Sequence, residues 1–552
     1  MPITAWRARP VPTTAAEDAT MPRSLYRRIT PVLCLVTVFL APLLLEAAAP
    51  AKAPSNPATP NGVQAARPAD LLDQKLLATA KDSSEIMANL TYLSDTIGSR
   101  LTGSAALRRA NDWAAEKMKS YGLTNVHLEP WTIPVGWQRG PATGHMIEPE
   151  NGVQLCMASL AWAPGTKGPL EADVVILKAN KAEDLAAYKG KLKNAVVLRG
   201  EPVRVPLVSQ LNQARRPGQA RPNGARGPNQ DPRRFFQQRI AFRRQMNKFL
   251  HDEGAVALFT DAGKPHMLLN MTGSWRGAQG NDPGDPLPTL FVAHEHYAML
   301  YRLASRPAPA RTRIALDVQN TFITGPITVY NTVGDIRGRD KPDEVVVIGG
   351  HLDSWDLGQG STDNGTGTCI ALEAARVLAR SPARPKRTVR CILFTGEEQG
   401  LVGSSAYVKE HKGEMSHISA AFIHDMGTGK VTGLGLMGHA NLQKLLEPEM
   451  ANLKPLGVAK FSTGRMGGSD HASFDRVGVP GLYFLQDPDE YGLTHHSQSD
   501  TLDKAHEADL IEGAQAMAVI AMRVANLPAL LPHHAAADDR QASRGAGSGR
   551  TR

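Results

Sequence analysis

Three apolar runs in this 552-residue chain each end on side chains that bind cations or move protons. Glu344 to Ile348 leads through two glycines into His351 and Asp353. Thr388 to Phe394 leads into Glu397 and Glu398, and Ile418 to Ile423 leads into His424 and Asp425. Asp363 lies in the turn-rich segment Ser361 to Gly367, whose small residues let the backbone come close to a site. After a fourth apolar run, Gly481 to Leu485, the segment Thr494 to Asp500 offers His495 and His496. Every one of these donors is an imidazole or a carboxylate, a hard or borderline metal-ligand set, with no thiolate among them. Singly, each fragment is more often a hydrogen-bonded structural residue or a solvated turn. Together they are costly to gather at one place unless a cation compensates the charge.

The elements that must position them follow from the pattern of the runs. Strand-like Glu344 to Ile348, Thr388 to Phe394 and Ile418 to Ile423 alternate with helix-like Gly367 to Ala379 and Leu401 to Glu410. This is the signature of an α/β fold, a mostly parallel mixed sheet covered by helices. Such sheets bind ligands at the carboxyl ends of their strands, where the polar residues stand. The strand Gly481 to Leu485 and the helix Ala508 to Leu527 complete the domain, whose two parts are expected at 69–133 and 325–530. Leu71 to Tyr92 and Ala105 to Tyr121 read as helices, with Gly122 ending the second. Residues 134–324 show short β-rich runs between Gly and Pro and are expected to form a separate inserted domain. The tail 531–552 is expected to be disordered, with His533 and His534 solvated.

The chain is too long for one small domain, and at 42% hydrophobic and 21% charged it is too apolar to be wholly disordered. Arg23, Arg27 and Arg28, then the apolar run Pro31 to Leu45, then the small residues Ala47 to Ala53 follow the order of a secretory signal within 1–53. Met21 is an alternative start. The alternative reading of the apolar run is an uncleaved membrane anchor, but it falls short of the ~20 residues that span a bilayer, so export is expected, with no stable membrane span after signal removal. Residues 54–68 read as a linker. Cys34 lies in the signal, and Cys156, Cys369 and Cys391 are too scattered for a disulfide framework. The net charge of +9 is local: ten Lys or Arg stand between Arg215 and Lys248 against the single acid Asp231. With no aromatic residue interleaved before Phe235, the loop 213–234 is expected to be a solvated, disordered insertion, and no nucleic-acid partner is expected.

The phrases Gly349-Gly350-His351-Leu352-Asp353, Gly396-Glu397-Glu398-Gln399-Gly400 and Gly468-Ser469-Asp470-His471-Ala472-Ser473-Phe474 carry a further signal. With the order His351, Asp363, Glu397-Glu398, Asp425, His496, they resemble the M28 family of zinc exopeptidases, most of all its plasma glutamate carboxypeptidase (carboxypeptidase Q) branch. The similarity covers about Leu71 to Leu527. It implies the zinc exopeptidase fold, a protease-associated-like insert and two Zn2+ per chain. Asp363 would bridge the ions, His351 and Asp425 would complete one, and Glu398 and His496 the other. Glu397 is then free to act as general base. The resemblance also implies a cis Asp363–Asn364 peptide and a homodimer.

Asp353 is placed to orient the His351 ring, and Asp470 to play a similar supporting part. Many aminopeptidases of the family have Tyr where this chain has His495, whose imidazole can still donate to a developing oxyanion. Arg100 reads as a turn or salt-bridge residue and stays outside the site. The expected function is an exported, periplasmic or secreted, zinc-dependent exopeptidase acting on dipeptides or short peptides. The alternatives are an aminopeptidase and, from another class, a catalytically silent binding protein, which should have lost ligands or base.

Overall fold

The computed structural model describes residues 67–205, 207, 232–275 and 287–535. The expected signal region, the linker up to residue 66, the basic loop up to residue 231 and the tail from residue 536 lie outside the described residues. Strand β1 (Thr124–Gln138) belongs to one sheet. Strands β2 (Ala142–Glu148), β3 (Met157–Ser159), β4 (Leu170–Leu177), β5 (Ala195–Arg199), β6 (Ala257–Asp261), β7 (Thr289–Val292) and β8 (Arg313–Val318) build a second. The chain then returns to the first sheet with β9 (Thr321–Ile336), β10 (Lys341–His351), β11 (Arg387–Phe394), β12 (Ile418–Ile423), β13 (Val431–Gly435), β14 (Lys460–Ser462) and β15 (Gly481–Gln486).

The first sheet runs β1-β9-β11-β10-β12-β15-β13-β14. Its centre, β11-β10-β12-β15, is parallel, and its flanks are partly antiparallel, so the sheet is mixed as the alternation predicts. Val345 to Ile348 and Ile418 to Ile423 are buried throughout, because both faces of the sheet are covered. The strand period of two divides them. Val345 and Val347 pack with Tyr407, Val408 and Phe474, while Val346 and Ile348 face a core that includes the helices Thr366–Ala379 and Glu507–Ala525. Those two helices are apolar almost all round and buried almost all round, as burial on every side requires.

The second sheet runs β2-β8-β4-β5-β6-β7-β3. The helices Pro232–Asp252 and His294–Ala304 belong to the same lobe, the first contributing Met246 and Leu250 and the second Tyr297 and Leu300 to its apolar clusters. The lobe is thus α/β, with its own core. β1 and β9 pair antiparallel along almost their whole length and run across residues 133/134 and 324/325, forming a ribbon where a boundary was expected.

Two further segments differ from expectation. The helix expected over Leu71 to Tyr92 divides into Pro68–Asp82, Ile86–Thr91 and a π-helical turn, Tyr92–Ile97. Ser83 and Ser84 cause the break: the Ser83 hydroxyl donates back to the Thr79 carbonyl, and the Ser84 hydroxyl accepts from the Ile86 N–H. The start of the expected tail is packed. Leu531 is buried with its N–H on the Ser419 hydroxyl, His533 bonds the Ile418 carbonyl, and His534 stacks on His439 at 3.9 Å. Among the described residues no helix is long and apolar enough to cross a membrane.

Candidate metal centre

The parallel register of the three central strands brings their carboxyl ends level. His351 pairs with Phe394 across β10 and β11, and Gly349 pairs with Ile423 across β10 and β12. His351, Glu397, Glu398 and Asp425 therefore emerge at one edge of the sheet. The His351 Nε2 lies 3.3 Å from Asp425, 3.6 Å from Asp363 and 4.0 Å from Glu397. The His496 Nε2 lies 3.0 Å from Glu398 and 3.6 Å from Asp363. Asp363 thus stands between two imidazole–carboxylate pairs.

Asp363 reaches this place from a kinked turn, Ser361–Gly365, whose Asp363–Asn364 peptide is cis. Asn364 fastens the turn to the end of β12: its amide donates to the His424 carbonyl at 2.8 Å and its oxygen accepts from the Gly367 N–H. A Cβ at Gly367 would stand 2.2 Å from the His424 carbonyl oxygen, so only glycine allows the two segments to meet.

The imidazole pair comes from the short helix Tyr491–Thr494 and the residues after it. The rings of His495 and His496 stack at 3.6 Å, and His495 Nε2 lies 3.8 Å from Asp363. His496 has φ of 60°, a left-handed conformation that costs a non-glycine residue on the order of 1–3 kcal/mol. The Trp355 indole packs edge-on against its ring.

Electrostatically the cluster is strained in the direction a cation would relieve. Burial pushes Glu397 and Glu398 well above the usual carboxylate range, with neighbouring carboxylates adding to the rise in each. Burial opposes the charged form of Asp363, but His495, His351 and His496 around it hold its carboxyl below its ordinary value. Burial likewise disfavours the His351 imidazolium, yet Asp425, Asp353 and Asp363 raise its pKa well above the ordinary value. Asp363 Oδ2 and Glu398 Oε1 are buried with no hydrogen-bond partner, and both side chains lie within 4 Å of imidazole nitrogens. Two orphaned carboxyl oxygens in a nest of imidazole and carboxylate fit a divalent, borderline cation.

His351, Asp363, Glu397, Glu398, Asp425, His495 and His496 all lie in this cluster, whereas the His424 ring does not: it packs on Phe484, and only its backbone carbonyl holds the turn of Asp363. Asp353 acts differently from expectation in detail. The His351 Nδ1 meets its backbone carbonyl at 3.0 Å, while its carboxylate, 3.6 Å from the ring, accepts from the Thr102 hydroxyl and the Glu397 N–H. Asp470 is fully buried, and burial pushes its carboxyl up to about 7.

Two residues were missed, Tyr491 and Asp500, and a third, Arg100, was set outside the site. The Tyr491 hydroxyl donates to Asp363 Oδ1 at 3.0 Å. The Asp500 carboxylate accepts from the Thr362 N–H and hydroxyl and from the Asp363 N–H. Arg100 is fully buried, and its guanidinium donates to the carbonyls of Gly98, Leu352, Gln359 and Gly360, pinning the loop between His351 and Asp363.

Comparison with known proteins agrees with this geometry. Residues 331–521, which include every residue of the cluster, match the model of peptidase family M28. Carboxypeptidase Q of Mus musculus is 32% identical over 447 residues, covering 80% of this chain and 86% of that protein. Carboxypeptidase Q of Homo sapiens is 30% identical over the same shares of the two chains. Among solved structures, a peptidase M28 precursor from Shewanella amazonensis superposes with a TM-score of 0.67 at 26% identity, covering 84% of this chain and 98% of its own. A zinc aminopeptidase from Bacillus subtilis shares the fold at a TM-score of 0.56 and 21% identity, over 79% of this chain and 93% of its own. On the strength of similarity over 80% of the chain and the cluster of side chains at the strand ends, this chain belongs to peptidase family M28 and is a metallopeptidase.

Proposed function

We propose that the chain is an exported dinuclear zinc exopeptidase that hydrolyses dipeptides or short peptides in the manner of carboxypeptidase Q. The observation that carries this reading is the convergence of His351, Asp363, Glu398, Asp425 and His496 around orphaned carboxylate oxygens, with Glu397 beside them as a spare carboxylate. His351 and Asp425 would hold one ion, Glu398 and His496 the other, and Asp363 both. Zinc bound there supplies Lewis acidity toward the scissile carbonyl and an acidified water.

The chain's own residues do the rest. Glu397 takes the proton of the attacking water and hands it to the leaving amine, so its side chain must stay free of ligand duty. His495, partly exposed beside Asp363, presents a ring N–H to the oxygen that gains charge as the carbonyl is attacked. Asp353 fixes the His351 ring through its carbonyl and anchors the Glu397 backbone through its carboxylate. The sequence order of basic, apolar and small segments in 1–53 supports export to the periplasm or the medium. The second lobe fits a protease-associated-like insert, and a homodimer remains part of the reading.

The test is to express residues 65–552, measure bound zinc, and assay unblocked dipeptides against N-blocked and C-blocked versions. Cleavage that survives N-blocking but not C-blocking names a carboxypeptidase. Loss on N-blocking alone names an aminopeptidase, and loss on either names a dipeptidase. No cleavage of any peptide by zinc-loaded protein would end the reading.

A further inference from the structure

Within its own lobe the segment that carries His495 and His496 is tied down by the Tyr491 hydroxyl on Asp363, the Thr362 hydroxyl on the Thr494 hydroxyl and the Ser497 hydroxyl on the Leu493 carbonyl. The helix Tyr491–Thr494 is four residues long, so its carbonyls have few partners within it, and His496 that follows sits in the left-handed region. Such a conformation persists only where neighbours over-determine it. Further neighbours come from the second lobe. Lys264, just beyond β6, is buried, and its ammonium donates to the carbonyls of Gly492 at 3.0 Å, Leu493 at 3.2 Å and His495 at 2.8 Å. Three N–H groups meet three carbonyl oxygens at the carboxyl end of a helix, where a cation also suits the helix dipole.

The same stretch of the second lobe adds backbone contacts. The Met271 N–H donates to the His496 carbonyl at 2.7 Å, the Leu269 N–H donates to the Gln498 side-chain oxygen, and the Gln498 amide donates to the Met267 carbonyl. From the other side Arg139, in the link between β1 and β2, grips Asp356 through two nitrogens, next to the Trp355 that packs on His496. Apart from the bonds of Gln498, these contacts fall on residues 491–496 or on the chain next to Trp355.

We propose that Lys264 is a positioning residue of the metal centre: through the backbone of residues 492–495 it sets the rings of His495 and His496, so the second lobe is a working part of the Glu398–His496 half of the site. This rests on the zinc reading above. A carbonyl clamp of this kind acts on ligand placement, in the way that outer partners of metal ligands tune affinity by about 10–100-fold.

The experiment compares the full-length protein with Lys264→Met and Lys264→Arg. The Met variant is expected to lose one zinc equivalent of two at chelator concentrations about 10–100-fold lower than the wild type, and to lose kcat with little change in KM. Hydrogen exchange of the metal-free proteins should quicken at residues 491–498 and stay unchanged in β10 and β12. Arg, which can still donate to carbonyls, should restore part of the zinc affinity and of kcat. Unchanged zinc retention and exchange in Lys264→Met would overturn the proposal, as would exchange quickened evenly through both sheets without rescue by Arg. If the wild type binds no zinc, the functional reading fails, whereas the exchange measurement still reads the clamp.

Discussion

Glu397 and Glu398 are adjacent in the chain yet serve different imidazoles: Glu398 lies 3.0 Å from His496, while Glu397 lies 4.0 Å from His351. The loop after β11 thus splits a carboxylate pair into one residue at ligand distance from its partner and one held back at the cleft. The proposed division of labour between ligand and base rests on that split.

Glu397→Gln removes a proton acceptor but leaves every proposed ligand in place. The variant is expected to keep its bound zinc, measured by elemental analysis, and to lose turnover by about 10²–10⁴-fold. A Gln variant with wild-type kcat would assign the base elsewhere.

Asp363→Asn acts on the group shared by both halves of the cluster. It should lose metal as well as activity, with zinc content falling toward zero after mild dialysis. Retention of two equivalents would show that Asp363 does not join the two halves.

Arg100→Met strips four carbonyls of their donor inside the protein. The expected loss is about 3 kcal/mol of unfolding free energy in urea, with a weakened zinc site, because the loop from Leu352 to Gly360 loses its anchor. A stability change below about 0.5 kcal/mol would mean that the loop is held by other contacts.

His411 lies far from the strand ends, between Glu129 and Glu414 at 3.1 and 3.0 Å, and stacks on Tyr407. The hydrogen bond to Glu129 raises its pKa to about 9, with burial opposing and Glu414 assisting. Since the folded pKa exceeds the unfolded value of about 6.5, the native state binds the proton more tightly. The stabilisation is full below about pH 6.5 and fades as pH rises through 9. His411→Gln should therefore cost about 2 kcal/mol at pH 6 and much less at pH 9.5, read from denaturation midpoints. A deficit that is flat with pH would place the stabilisation in packing.

Most of the candidate site is legible in the sequence because each member stands at the end of an apolar strand or in a glycine-rich turn, patterns that survive without knowledge of packing. His351, Glu398 and Asp425 are of this kind. Arg100 is not: its partners are backbone carbonyls, which every residue possesses, so neither spacing nor residue type marks the contact. The same holds for Lys264, whose three acceptors lie more than 200 residues away in the chain. The break at Ser83-Ser84 was hidden by helical spacing that runs on through it, and the π-helical turn Tyr92–Ile97 extends beyond the helix that the spacing gave. The long ribbon of β1 and β9 was hidden for another reason: its partner strands are joined through an entire second sheet.

The central claim is that two zinc ions sit at the carboxyl ends of β10, β11 and β12. Anomalous diffraction at the zinc edge from crystals of the purified protein tests it directly. The account predicts two peaks, one against His351 and Asp425, one against Glu398 and His496, with Asp363 touching both. A single peak, or none within reach of these five side chains in zinc-replete crystals, would contradict it.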